Sequence, residues 1–168
     1  YHFMANPHYL YTDFSNFLKH YFSEKVQKIS VHAGFTCPNR DGKIGRGGCT
    51  YCNNQTFNPE YCATQRSVTE QLEEGKAFFG RKYPEMKYLA YFQAYTNTYG
   101  ELEHLKRLYE EALAVKDVVG LVIGTRPDCI NEEIAALIAS YKEKCDVWVE
   151  LGLQTASDKT ADLINRGY

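Results

Sequence analysis

The chain reads as an α/β protein, a parallel (β/α) partial TIM barrel, on three observations. Strand-like runs at residues 87–93, 118–124 and 146–151 recur about every 30 residues with a helical pattern between them, the length of a βα unit. Crossovers of this kind are right-handed and lay successive strands side by side and parallel. Residues 118–124 form an unbroken apolar run, the pattern of a strand buried on both faces. Each unusual polar stretch also follows the end of a strand, where barrels carry their active groups.

The elements follow in order. A helix over about residues 13–21 places Phe14, Phe17, Leu18, Tyr21 and Phe22 on one face. The first strand covers about residues 27–33 and leads into a cysteine-bearing, glycine-rich loop. Ser67-Val68-Thr69-Glu70 has the form of a capping box and opens a helix running to about residue 81. The second strand precedes a helix over about residues 100–116 with Leu102, Leu105, Leu108, Ala112 and Leu113 as its buried stripe. After the third strand, Asn131 starts a helix with Ile134, Leu137, Ile138 and Tyr141 inward. The fourth strand is followed by a helix opened by Ser157, which the chain end is expected to cut short. Residues 1–25 form an N-terminal helical extension and residues 26–168 the barrel part.

With 168 residues there is enough chain for one domain with a real core. A hydrophobic fraction of 44% and a charged fraction of 24% are ordinary for a soluble protein, and a net charge of −2 exerts no global pull on nucleic acid. On the cysteine loop, Arg40, Lys43 and Arg46 outweigh Asp41, which suits an anionic ligand or simply a solvated surface. No run of about 18 apolar residues marks a transmembrane helix, and no secretory signal is evident, so a cytoplasmic protein is expected.

Cys37, Cys49 and Cys52 are spaced Cys-x11-Cys-x2-Cys on that loop. Three thiolates hold three irons of a [4Fe–4S] cube and leave the fourth open to a ligand, whereas an electron-carrying cluster is normally closed by four cysteines. Gly42, Gly45, Gly47 and Gly48 let the backbone wrap closely around a bulky group. A zinc site remains an alternative with Cys62 or His32 as fourth ligand, and a disulfide framework is a weaker one. Cys129 and Cys145 lie in apolar surroundings and read as buried bystanders.

Five blocks in this order match a known pattern: 33–42, 47–52, 92–99, 124–128, and 150–154 with Asn165-Arg166-Gly167. Together they resemble radical S-adenosylmethionine enzymes over about residues 14–168, and more closely an uncharacterised bacterial subfamily related to the elongator catalytic subunit and the oxygen-independent coproporphyrinogen oxidases. The first cysteine spacing exceeds the commonest Cys-x3-Cys-x2-Cys, as it does in the elongator-like branch. The resemblance implies an iron–sulfur oxidoreductase-like enzyme in which Cys37, Cys49 and Cys52 hold a [4Fe–4S] cluster. S-adenosylmethionine would chelate the fourth iron and be cleaved reductively to a 5′-deoxyadenosyl radical that acts on an unknown substrate.

The same resemblance places Tyr51 near the adenine, although a packed core tyrosine is the plainer reading. Gln93, Tyr95, Thr96 and Asn97 stand where relatives bind the methionine amino group, but without the paired glycines and glutamate usual there. Thr125 and Arg126 are candidates for ribose and carboxylate contacts, and Gln154 for a cofactor contact or a simple backbone cap. The implied partners are S-adenosylmethionine, an electron donor such as flavodoxin or ferredoxin, and a substrate that includes tRNA among its candidates; no membrane is implied. A tRNA-modifying radical enzyme and a non-catalytic iron–sulfur or zinc-binding protein remain alternatives. Four βα units of about six are visible and Tyr1 is not a methionine, so a trimmed, by itself inactive piece is expected. Its open fourth strand is expected to associate with a second copy.

Overall fold

The computed structural model describes residues 11–81, 83 and 85–167. Of the extension expected over residues 1–25, residues 1–10 therefore lie outside the described residues. Strands β1 (Val26–Val31), β2 (Lys87–Phe92), β3 (Val118–Thr125) and β4 (Asp146–Leu151) form one sheet in the order 1-2-3-4, parallel at every pairing. Helices α2 (Val68–Gly80), α3 (Leu102–Leu113) and α4 (Glu132–Ser140) carry the crossovers, with α1 (Phe14–Tyr21) before the sheet and α5 (Asp158–Leu163) after it. The expected α/β partial barrel of four βα units is present.

Local chemistry starts the helices. Asp13 accepts the Asn16 N–H at 2.7 Å to cap α1. Ser67 and Glu70 form the reciprocal box that opens α2, with the Ser67 N–H donating to Glu70 Oε2 at 2.7 Å and the Glu70 N–H to Ser67 Oγ at 3.1 Å. Asn131 accepts the Ile134 N–H and Ser157 the Thr160 N–H, capping α4 and α5 as Asp13 caps α1. The last helix does not run to the chain end. It stops at Leu163, and Asn165 (φ 51°) and Gly167 (φ 49°) adopt the left-handed conformation that Asn and Gly tolerate best, turning the chain back.

Strand alternation sorts the core onto two faces. On the outer face, Ile29, Val31, Tyr88, Ala90, Phe92, Leu121 and Ile123 pack against Val68, Leu72, Leu105, Leu108, Tyr109, Ala112, Ile134 and Ile138 of the crossover helices. On the inner face, Val26, Leu89 and Val122 meet Leu18 of α1, with Phe17, Phe22 and Trp148 packed around them. The rest of this inner face is polar. Lys28 Nζ lies 2.8 Å from Glu150 Oε1, and the Tyr91 hydroxyl donates to Glu150 Oε2 at 2.7 Å. Lys28 and Glu150 stand on the two edge strands, which a flat sheet would hold about 14 Å apart at roughly 4.8 Å per strand. A direct bond between side chains rising from one face means that the sheet curls as a barrel wall does. Among the described residues no helix is long and apolar enough to cross a membrane.

Candidate functional site

The cysteine loop leaves the C-terminal end of β1 and closes on itself through its own backbone. The Arg40 N–H donates to the Cys37 carbonyl at 2.8 Å, the Ile44 N–H to Pro38 at 2.9 Å and the Gly48 N–H to Asn39 at 2.9 Å. Gly47 and Gly48, both at φ 83°, turn the chain into Cys49, and a Cβ at Gly48 would stand 2.7 Å from Arg40 Nε. The Cys52 N–H bonds the Cys49 carbonyl at 3.0 Å, so one turn carries two of the three thiols. All three are free; Cys49 is buried, Cys37 and Cys52 half-buried.

The loop after β2 is sewn to its neighbours. Fully buried Asn97 donates through Nδ2 to the carbonyls of Phe92 (3.0 Å) and Gly124 (2.9 Å), bridging the ends of β2 and β3. The Thr98 hydroxyl donates to the Cys129 carbonyl at 2.6 Å and lies 2.6 Å from the Thr125 hydroxyl, which therefore donates to it. Thr96 is buried, and its N–H reaches the Thr36 carbonyl at the start of the cysteine loop at 3.2 Å. Thr96, Asn97 and Thr125 are thus brought together as the buried frame of the rim. Two acceptors after β2, Gln93 Oε1 and Asn97 Oδ1, are buried without a hydrogen-bond partner among the described residues. Such atoms are costly unless water or a ligand supplies a donor.

Tyr95 sits at φ 67° with its ring 5.5 Å from that of His32 and 5.7 Å from the Arg40 guanidinium carbon. Arg40 in turn donates to the Cys52 carbonyl at 2.9 Å, which joins the cysteine loop to the rim. Tyr51 is half exposed, not a packed core residue, and burial together with its hydrogen bond to Cys49 pushes its phenol up to about 12. Gln154 is exposed, at φ 73°, on the loop after β4.

Arg126, read as a clamp for a ligand carboxylate, already holds one inside the chain. Its Nε and NH2 grip Asp128 at 2.8 and 2.7 Å, and NH1 and NH2 reach the carbonyls of Arg166 (3.2 Å) and Gly167 (2.6 Å). Burial opposes its charge, but Asp128 outweighs burial and keeps the guanidinium protonated. Residues 164–167 complete the site, and sequence reasoning assigned them no role. The Thr50 N–H donates to the Ile164 carbonyl at 3.0 Å, and Asn165 Nδ2 to the Gly48 carbonyl at 2.8 Å. Arg166 NH1 and Asn39 Nδ2 both donate to Cys49 Sγ at 3.6 Å. The Asn165-Arg166-Gly167 turn signal was visible; the long-range partner it meets was not.

These residues suit a bulky anionic iron–sulfur group. Asn39 and Arg166 direct donors at Cys49 Sγ, and Asn54 Nδ2 lies 3.5 Å from Cys52 Sγ. Arg40 and Arg126 add positive charge near Cys37. Burial alone would raise the Cys49 thiol, yet Arg166, Tyr51 and Asn39 outweigh burial and lower it, favouring the thiolate that metals require. The two thought-of fourth zinc ligands are engaged elsewhere. Cys62 donates to the Ser30 carbonyl at 2.8 Å, with burial pushing its thiol up to about 12, and His32 Nδ1 accepts the Gly34 N–H at 3.2 Å. Cys129 and Cys145 are half-buried, not fully enclosed, and burial raises both thiols, Cys129 to about 11. Among the described residues, no three His, Cys, Asp or Glu side chains form a group that would hold a single metal ion.

The chain is 48% identical to protein YhcC of Escherichia coli (strain K12) over 148 residues, 88% of this chain and 47% of that protein. It is 39% identical to the uncharacterised protein YtqA of Bacillus subtilis (strain 168) over 164 residues, 98% of this chain and 51% of that protein. An uncharacterised protein of Methanocaldococcus jannaschii is 34% identical over 163 residues, 95% of this chain and 49% of its own length. The chain thus spans about half the length of the curated relatives it matches. The Radical SAM superfamily profile covers residues 37–168, starting at the first loop cysteine, and the chain belongs to that superfamily.

Proposed function

We propose that Cys37, Cys49 and Cys52 hold a [4Fe–4S] cluster and that the rim above β2–β4 binds S-adenosylmethionine. The observation that carries this reading is the pair of donors aimed at Cys49 Sγ from Asn39 and Arg166, on a loop at the C-terminal end of a parallel sheet. When bound, the cluster and S-adenosylmethionine supply one-electron reductive cleavage of the sulfonium and a 5′-deoxyadenosyl radical for an as yet unknown substrate. The unpartnered Gln93 Oε1 and Asn97 Oδ1 accept from the amino group of the bound methionine moiety. Tyr95 and Thr96 shape the backbone beside them, Tyr51 flanks the adenine, and Gln154 and Thr125 contact the ribose side. Arg126 acts from behind, holding the rim and residues 166–167 in place through Asp128.

The elongator-like and coproporphyrinogen oxidase-like relation, a cytoplasmic setting, and a flavodoxin or ferredoxin as electron donor belong to the same reading. A tRNA substrate is a second version of it, motivated by the elongator-like relation that the long first cysteine spacing suggests. Because the chain spans about half of its relatives, turnover is expected to need more than these residues. Anaerobic reconstitution with iron and sulfide should give about four irons per chain and a brown chromophore absorbing near ~400 nm. Alanine at Cys37, Cys49 or Cys52 should abolish it, whereas Cys129→Ala and Cys145→Ala should not. A chromophore that survives loss of Cys49 would refute the ligand assignment.

A further inference from the structure

We propose that Arg166 is a positioning residue that presses residues 164–167 against the cysteine loop and raises the cluster's reduction potential through its N–H···Sγ bond to Cys49. The inference rests on the cluster reading above. Arg166 is 6% exposed, so its charge acts through little water. NH1 lies 3.6 Å from Cys49 Sγ while NH2 donates to the Gly152 carbonyl at the end of β4. That second bond fixes the guanidinium plane and leaves NH1 aimed at the sulfur.

The backbone around Arg166 is held on both sides. Its own carbonyl and that of Gly167 accept from Arg126, whose charge is already met by Asp128. Upstream, the Ile164 carbonyl accepts the Thr50 N–H, and the Asn165 carbonyl accepts from Asn39, a second donor to Cys49 Sγ. The left-handed Asn165 at φ 51° lets α5 end there and delivers the next residue to the loop. Arg126 and Arg166 thus divide the work: one guanidinium binds a carboxylate, the other the Cys49 sulfur.

A donor and a positive charge at a ligand sulfur stabilise the more negative, reduced form of a cluster, which shifts its potential upward. The test is an anaerobic redox titration of the reconstituted chain, read by the electron paramagnetic signal of the reduced cluster, with iron content measured in parallel. At wild-type iron content, Arg166→Met and Arg166→Gln should both titrate at more negative potential than wild type. Arg166→Lys, which restores charge and a donor, should fall between them and wild type. A merely structural role would change iron content without ordering the midpoints in this way. If Arg166→Met fails to fold, the Gln and Lys variants are compared alone. Midpoints equal to wild type in cluster-bearing variants overturn this inference and leave the cluster reading standing; a wild-type chain that takes up no cluster overturns both.

Discussion

Gln71 shows how much a single buried side chain decides here. It is fully buried in α2, its Oε1 accepts the His32 N–H at 2.8 Å, and its Nε2 donates to the carbonyls of His32 (3.0 Å) and Arg66 (3.1 Å). It therefore satisfies the backbone where β1 has ended and the cysteine loop begins. Gln71→Leu keeps the volume but strands a buried N–H, so it should cost about 2–3 kcal/mol in urea unfolding, within the range for an unsatisfied buried group. Sequence reading passed over Gln71 because a glutamine in a helical pattern looks like solvated surface. Glu150 has a milder role. Burial raises its carboxyl, but Lys28 and Tyr91 outweigh burial and hold it below the usual value of 4.5. A depressed folded value adds stability that is full above the unfolded value and lost as pH falls through the folded one. With the side chain 46% exposed, the gain is small, under about 1 kcal/mol. The stability gap between wild type and Glu150→Gln should close on acidification from neutral pH to below about pH 4, and a gap that widens there contradicts the sign.

At the scale of elements, close approach between α2 and β1 sets the frame that presents the loop. A Cβ built on Gly75 would stand 2.4 Å from Ile29 Cγ2, in the interior of the core. Gly75→Ala gains helix propensity worth roughly 1 kcal/mol, yet overpacking of this kind costs about 1–3 kcal/mol. The net expectation is a lower thermal midpoint, and an unchanged or raised midpoint would mean that Ile29 relaxes freely. Ser67→Ala removes one half of the capping box and should cost about 1 kcal/mol on the same scan. The capping box, the α3 stripe and the Asn131 and Ser157 starts were all legible because each rests on neighbours three or four positions apart. The end of α5 was not, since it depends on where Asn165 and Arg166 find partners more than a hundred positions earlier, at Gly48 and Cys49.

For the molecule as a whole, the notable surface is the far side of β4. Among the described residues β4 pairs with β3 alone, and Val149, Leu151, Leu153 and Leu163 are 38%, 54%, 51% and 71% exposed. Apolar groups beside unpaired backbone donors and acceptors are a template for association. In keeping with the second-copy reading, sedimentation should show concentration-dependent self-association of this chain, and Leu151→Lys should weaken it. A monomer at high concentration would remove that reading.

By itself, the sequence determined the parallel α/β class, the order of the elements, the three loop cysteines and the polar stretches at the strand ends. All of these are carried by local periodicity, turn chemistry and motif spacing, which act within a few residues. Only the tertiary structure decided that Arg126 holds Asp128 instead of standing open to a ligand, and that Arg166 and Asn39 meet at one sulfur. It also decided that Lys28 and Glu150 close across the inner face. Apart from Arg126–Asp128, which lie two positions apart, these contacts join residues brought near by the curl of the sheet and by one left-handed turn after α5. Chain distance carries no record of them, because a side chain's partner is set by which strands and loops fold beside it, not by its neighbours in sequence.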